Sequence, residues 1–191
     1  MKIASHDAKS KSAGRRHGLG IHLKMMFALI LSIILGTSLS APQAGTAQAV
    51  PKSDRVVVKK SRRELLLLNN SRVIYVFPIA LGDEPEGDKL EEGDWRTPEG
   101  RYIIDWRNPD SRFYKSLHIS YPNARDRQES TSAGVDPGGM IMIHGHPLDA
   151  GHHPEKYIGR DWTDGCIALE NEDMDIVWSS VDDGTPIDIL P

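Results

Sequence analysis

Cysteine is nearly absent from this chain of 191 residues, which holds one, Cys166. A single thiol excludes an internal disulfide, so stability has to come from a packed core. A thiol left over in an oxidising compartment is either reactive or well hidden. Positive charge is scarce outside the N-terminus. Six of the 23 Lys and Arg and one of the 27 Asp and Glu lie in residues 1–49, leaving 17 basic against 26 acidic beyond them, a net charge near −9. A body that acidic lacks the basic footprint that nucleic acid demands. No second cysteine and no His-Glu-x-x-His helix is present, which argues against a zinc hydrolase. Internal repeats and low-complexity tracts are missing as well.

What is there begins with a leader. Lys2, Lys9, Lys11, Arg15, Arg16 and Lys24 precede the apolar run Met25–Leu39, and a small-residue stretch follows, ending Ala47-Gln48-Ala49. Residues 1–49 therefore read as a signal peptide, or as an N-terminal membrane anchor if it stays uncleaved. The apolar run has 15 residues, against roughly 20 for a spanning helix, which favours cleavage. Either way the expectation is an exported protein of the periplasm or cell envelope. Residues 50–54 read as a linker, and residues 55–190 as one domain large enough for a proper core.

Within that domain, a short β-branched run predicts a strand at Arg55–Lys60 and apolar runs predict strands at Leu65–Leu68 and Val73–Phe77, with Asn69-Asn70-Ser71 closing a hairpin. Arg101–Trp106, Lys115–Tyr121, Met140–Ile143 and Thr185–Leu190 follow as further strands. Residues 81–100 and 123–139 are rich in Gly, Pro and charge and read as loops. Helical spacing occurs once, at Met174, Val177, Trp178 and Val181, with Asn171 as the expected N-cap. The pattern is mainly β with one late helix.

The chemistry-bearing residues cluster around the thiol. Met140-Ile141-Met142-Ile143-His144-Gly145 is an apolar strand ending in histidine, and Cys166 follows 22 residues later in Asp161-Trp162-Thr163-Asp164-Gly165-Cys166. A thiol near its free pKa of about 8.5 is mostly protonated at neutral pH and needs a base to attack a carbonyl. His144 can supply that base, with its Nδ1–H held by a main-chain carbonyl. Gly165 permits a tight turn, and the N–H groups of Asp164, Gly165 and Cys166 are candidate oxyanion donors. Such acyl transfer through a thioester needs no metal and no bound cofactor. Thr163, Arg160, Trp162 and His146 are candidates to touch substrate, Arg160 by pairing with a carboxylate. His118 reads as a satisfied core histidine, and Arg96 and Tyr102 as flanks of a loop beside the cleft. A rival zinc site would draw on His144, His146, Asp149, His152, His153 and Cys166.

IMIHGH followed by DWTDGCIAL resembles the signature of the L,D-transpeptidase (YkuD) catalytic domain family. The likeness extends over residues 54–190 and includes Arg96-Thr97-Pro98-Glu99-Gly100 and Gly184-Thr185-Pro186-Ile187. It implies a β-sandwich-like fold acting on peptidoglycan stem peptides, with a wall-attached protein as an alternative acyl donor or acceptor. By position it implies Cys166 as nucleophile, His144 as base, Gly145 as the residue whose carbonyl orients that base, and Thr163 as the hydroxyl of the signature. Two positions depart from the pattern. Asp164 replaces the signature's second histidine, and Ala168 replaces a polar residue two places after the cysteine. Asp164 adds negative charge beside the thiol, which raises its pKa. A hydrolase of the same family, an L,D-carboxypeptidase or amidase, is the alternative outcome.

Overall fold

The computed structural model describes residues 49–147, 156–157 and 159–191. The leader up to residue 48, Asp149, His152 and His153 lie outside the described residues. Among those described, no helix is long and apolar enough to cross a membrane.

Eight strands and two helices follow in the order β1 (Arg55–Lys59), β2 (Glu64–Asn69), β3 (Arg72–Pro78), β4 (Gly100–Ser111), β5 (Tyr114–Ile119), α1 (Ala124–Ala133), β6 (Met142–His144), β7 (Ile167–Ala168), α2 (Asn171–Ser180) and β8 (Pro186–Leu190). They make one sheet with strand order β3-β2-β1-β8-β4-β5-β6-β7. Its two halves share β4. The first residues of β4 pair with β8, and from Ile104 onward it pairs with β5, with register shifts between Ile104 and Trp106 and between Asn108 and Ser111. Bulges of this kind bend a strand and raise its twist, which lets one long strand serve both halves.

Alternation explains the burial. Val56 and Val58 of β1, Leu65 and Leu67 of β2 and Ile187 and Ile189 of β8 all point inward, and they meet Leu117, Ile119, Ile143 and Ile167 from the other half in a single core. Met174 and Val177 of α2 close that core from one side. Fully burying each such side chain is worth roughly 1.5–3 kcal/mol. The Asn-rich break behaves as its residues dictate. Asn70 and Ser71 both take positive φ, 49° and 62°, the left-handed pair that a tight two-residue hairpin turn needs.

The mainly-β expectation holds, but the described residues contain two α-helices. α1 grows out of a stretch expected to be loop. Its decamer Ala124–Ala133 has no large apolar residue, so no periodicity announces it. A capping box starts it: the Asn123 side chain accepts from the N–H of Arg125 and Asp126, while Asp126 accepts from the Asn123 N–H. Gly134 in the left-handed conformation ends it. Both devices are helix signals independent of hydrophobic pattern. The expected N-cap Asn171 is instead the first residue of α2, after Glu170. Part of the expected linker is also tied down: the Ser53 N–H donates to Ser180 O at 2.8 Å and its hydroxyl to Leu68 O at 2.9 Å.

Candidate functional site

β6 and β7 run parallel, with Ile143 beside Ile167 and His144 beside Ala168. One step back in that register, Cys166 sits level with Met142, on the same face as His144. The sheet thus brings to one wall two residues that lie 22 apart in sequence. Both line a cleft of about 660 Å³, together with Trp95, Arg112, Phe113, Met140, Trp162 and Asp164 among others.

His144 is 3 % exposed. Its Nδ1 lies 2.6 Å from the carbonyl oxygen of Gly145. A carbonyl only accepts, so Nδ1 carries the proton and Nε2 is left as the free acceptor of the ring. Burial, against the partly compensating Gly145 hydrogen bond, lowers the imidazole pKa to about 4, with the nearby His146 and Arg112 pushing the same way. Phe113 packs against the ring at 4.7 Å between centroids and Trp162 at 5.7 Å. Gly145 has no room for a side chain, because a Cβ there would meet Asn171 Oδ1 at 2.4 Å. That oxygen accepts the N–H of His146 at 2.9 Å. Asn171 therefore fixes the segment just after the base, a role that its helix-start signature concealed.

The thiol is mounted differently, in a turn strapped to its surroundings. The Asp161 carboxylate accepts the Leu81 N–H at 2.8 Å and pairs with Arg63. The N–H groups of Trp162 and Thr163 both reach the Leu81 carbonyl. The Thr163 hydroxyl donates to Cys166 O at 2.7 Å and accepts the Gly165 N–H at 3.1 Å. Its polar atom is thus occupied within the turn. The Gly165 N–H is equally committed, which leaves those of Asp164 and Cys166 as the oxyanion candidates. Gly165 itself takes φ +122°, and a Cβ on it would meet Arg96 O at 2.6 Å. Only glycine tolerates both conditions.

Cys166 is half-buried, and its Sγ faces the Met140 carbonyl at 3.8 Å. Burial pushes the thiol pKa up; the exposed Asp164 carboxylate adds to this, while a backbone hydrogen bond at Met142 and the Lys89 ammonium pull it down. At the thiol, Lys89 is the cation whose effect opposes that of Asp164. A lowered imidazole beside a raised thiol means that the resting pair is neutral on both sides, not a thiolate–imidazolium ion pair.

Trp162 lines the cleft, and its buried Nε1 has no hydrogen-bond partner among the described residues. Arg160 does not line it; with His146 and Tyr157 it borders a separate hollow of about 430 Å³. His146 contacts the edge of Trp162 and lies 3.6 Å from Glu170. His118 is held by Asp105 at 2.6 Å and stacks on Trp106, away from the thiol. Tyr102 is core, its hydroxyl on Glu99 O and Asp126. Arg96 lends the site its carbonyl rather than its guanidinium. Among the described residues no three His, Cys, Asp or Glu side chains converge as metal ligands would. Sequence reasoning missed Arg112, Phe113, Lys89 and Trp95 as cleft residues, since each sits in a turn or loop that only the fold brings alongside.

A histidine at a strand end is thus locked by the next carbonyl, with a cysteine just ahead of the parallel neighbouring strand. The model of the YkuD family, described as the L,D-transpeptidase catalytic domain, matches residues 53–189. The chain belongs to the L,D-transpeptidase catalytic domain family. It is 34 % identical over 97 residues to the candidate L,D-transpeptidase YafK of Escherichia coli (strain K12), covering 50 % of this chain and 32 % of that protein. The chain thus aligns with about a third of that curated relative. Among solved structures it resembles the helical cell shape determining protein Pgp2 of Campylobacter jejuni, with a TM-score of 0.55, 26 % identity and coverage of 71 % and 46 % of the two chains. The fold also matches Bdellovibrio bacteriovorus Bd1075, with a TM-score of 0.52, 22 % identity and coverage of 73 % and 48 %.

Proposed function

We propose that this protein is an exported, wall-facing cysteine acyl-transferase acting on peptidoglycan stem peptides. One observation carries the reading: His144, held in a single tautomer by Gly145, lines the same cleft as the only thiol in the chain. Family membership and the likeness to a cell-shape determinant support a wall substrate.

The mechanism follows from the neutral resting pair. As Cys166 Sγ attacks the carbonyl on the L-centre of the third stem residue, Nε2 of His144 takes the thiol proton. The N–H groups of Asp164 and Cys166 hold the oxyanion. The carbon–nitrogen bond to the leaving amine breaks, and His144 returns the proton to that nitrogen. A second amine then attacks the thioester, the carbon–sulfur bond breaks, and the proton passes back through His144 to the thiolate. The exposed Asp164 carboxylate, the mark of a variant branch with Thr-Asp-Gly-Cys at this position, attracts a cationic amine, which attacks once it has lost a proton to water. Water in place of the amine makes the enzyme a carboxypeptidase, or an amidase where the leaving amine belongs to an attached protein.

Mass spectrometry of the full chain after incubation with disaccharide tetrapeptide, with and without an amine acceptor, tests this. An adduct on Cys166 that resolves to a cross-linked product is expected. Resolution only to tripeptide would make the protein a hydrolase, and no adduct from tetrapeptide or protein-linked donor would end the acyl-enzyme reading.

A further inference from the structure

The first bulge of β4 carries a group of side chains that the chemistry above does not use. Ile104 pairs with Ile119 and Trp106 with His118, so Asp105 has no residue opposite it. An extra residue of this kind re-aims the side chains around it. Ile104 is fully buried, yet Trp106 is turned out and 38 % exposed.

A single exposed tryptophan is ordinary. This one is held in place. Its ring stacks on the His118 imidazole, with 4.8 Å between centroids and 15° between planes. The bulged Asp105 in turn accepts the His118 Nδ1–H at 2.6 Å. The Asp105 side chain is itself 41 % exposed, and a carboxylate has lone pairs to spare after one such bond. The result is a flat apolar ring, fixed in orientation, beside an accessible hydrogen-bond acceptor.

The sheet places this group in line with the thiol. Trp106 stands opposite His118, His118 opposite Met142, and Met142 level with Cys166. Residues directly opposite one another share a face, so the four form one row on the face that carries His144. Met142 lines the cleft, whereas Trp106, His118 and Asp105 lie beyond it. Neighbouring strands are about 4.8 Å apart, which puts Trp106 about 14 Å from the thiol.

That spacing and that chemistry name the occupant. A pyranose ring has an apolar C–H face, which lies flat on an indole, and a rim of hydroxyl and acetamido donors, which a carboxylate accepts. An anionic group would instead be repelled by Asp105. A stem peptide hangs from such a ring. Its first three residues span about 10 Å when extended, and the short acid that joins peptide to sugar covers most of the remainder. On the acyl-transfer reading above, we infer that Trp106, Asp105 and His118 form a saccharide-binding site outside the cleft, taking a sugar ring of the glycan that bears the stem peptide. Because the ring is already pinned, little ordering is lost on binding.

The test titrates the full chain by calorimetry with a peptide-free tetramer of β-1,4-linked N-acetylglucosamine. Saturable binding is expected. Trp106→Leu should weaken it about three- to tenfold, the range for one lost aromatic contact, and Trp106→Phe should recover most of the loss. Asp105→Asn should weaken it a few-fold. Binding should survive alkylation of Cys166 with iodoacetamide, since the site lies beyond the cleft. No saturable binding, undiminished binding in Trp106→Leu, or binding abolished by alkylation would each overturn the inference. Should Trp106→Leu fail to fold, undiminished binding in Asp105→Asn would overturn it instead. The titration involves no chemistry at the thiol, so these outcomes leave the Cys166 adduct standing. Absence of that adduct with every stem-peptide donor would overturn the acyl-transfer reading by a separate route.

Discussion

The proposed base and the proposed nucleophile of this site are mounted on opposite principles. His144 ends a regular strand, buried, with its orientation set by the backbone of the very next residue. Cys166 ends an irregular turn whose shape depends on a threonine hydroxyl, a glycine at φ +122° and the carbonyl of a distant loop. Strand ends are rigid because the sheet is rigid, whereas the turn is only as firm as its few ties. The comparison teaches that position at the base is inexpensive to encode and position at the nucleophile is not. Substitutions should therefore cost more geometry on the Cys166 side and more electrostatics on the His144 side.

The largest effect is expected at Gly165. Gly165→Ala forces a Cβ into the Arg96 carbonyl at a φ that alanine avoids, so the turn must shift by a large part of an ångström. Acylation of Cys166 should fall by about a hundredfold, and strain should remove about 1–3 kcal/mol of stability. Rate and thermal midpoint measured together would separate misplacement from unfolding. Next comes the electrostatics of the base. Folded His144 titrates near 4 and an unfolded histidine near 6.5, so unfolding takes up a proton between those values. Its contribution to stability is intact above about pH 6.5 and falls as pH drops toward 4, by roughly 3 kcal/mol. Unfolding free energies from urea titrations at about pH 5 and pH 7 should differ less in His144→Gln by about 2 kcal/mol, the part of that loss lying between the two pH values. An unchanged difference would mean that the imidazole is not held neutral by burial.

Thr163→Val is a smaller change, isosteric but without the oxygen. It strands the Gly165 N–H, at a cost of about 1–3 kcal/mol, and should slow acylation about tenfold, an effect that Thr163→Ser should largely reverse. The smallest effect is expected at Asp164. Removing its charge in Asp164→Asn should speed alkylation of the thiol at neutral pH by a few-fold, because burial, not Asp164, is the larger cause of the raised pKa. No change would mean that solvent already screens the exposed carboxylate from the thiol.

The strand half of the molecule was legible because its information is local: Val56–Val58 and Leu65–Leu68 are short apolar runs bounded by polar and turn residues. The Cys166–His144 pair was legible because a strand-ending histidine and a glycine-flanked thiol are short motifs. α1 was not, since its only signals are a capping box and a terminal glycine around a decamer without large apolar residues. Nor was the function of Asn171, because an asparagine ahead of a helical pattern reads as a cap, yet here the side chain turns back to the His146 N–H. Arg160 shows the converse limit. Adjacency in sequence placed it beside the thiol, and the strap of Asp161 to Leu81 and Arg63 carries it to a different hollow. Arg112 and Lys89 belong to the cleft through strand pairing and loop folding, which no window of the sequence contains.

The central claim is that His144 acts as a neutral base on a protonated thiol. The pH dependence of Cys166 acylation, measured in single turnovers on the wild-type chain and on His144→Gln, tests it most directly. The account predicts an acid limb near 4 and a plateau through neutral pH, both lost in the variant. A rate climbing about tenfold per pH unit through neutrality, the mark of attack by a minor thiolate fraction, or a profile unchanged by His144→Gln, would contradict it.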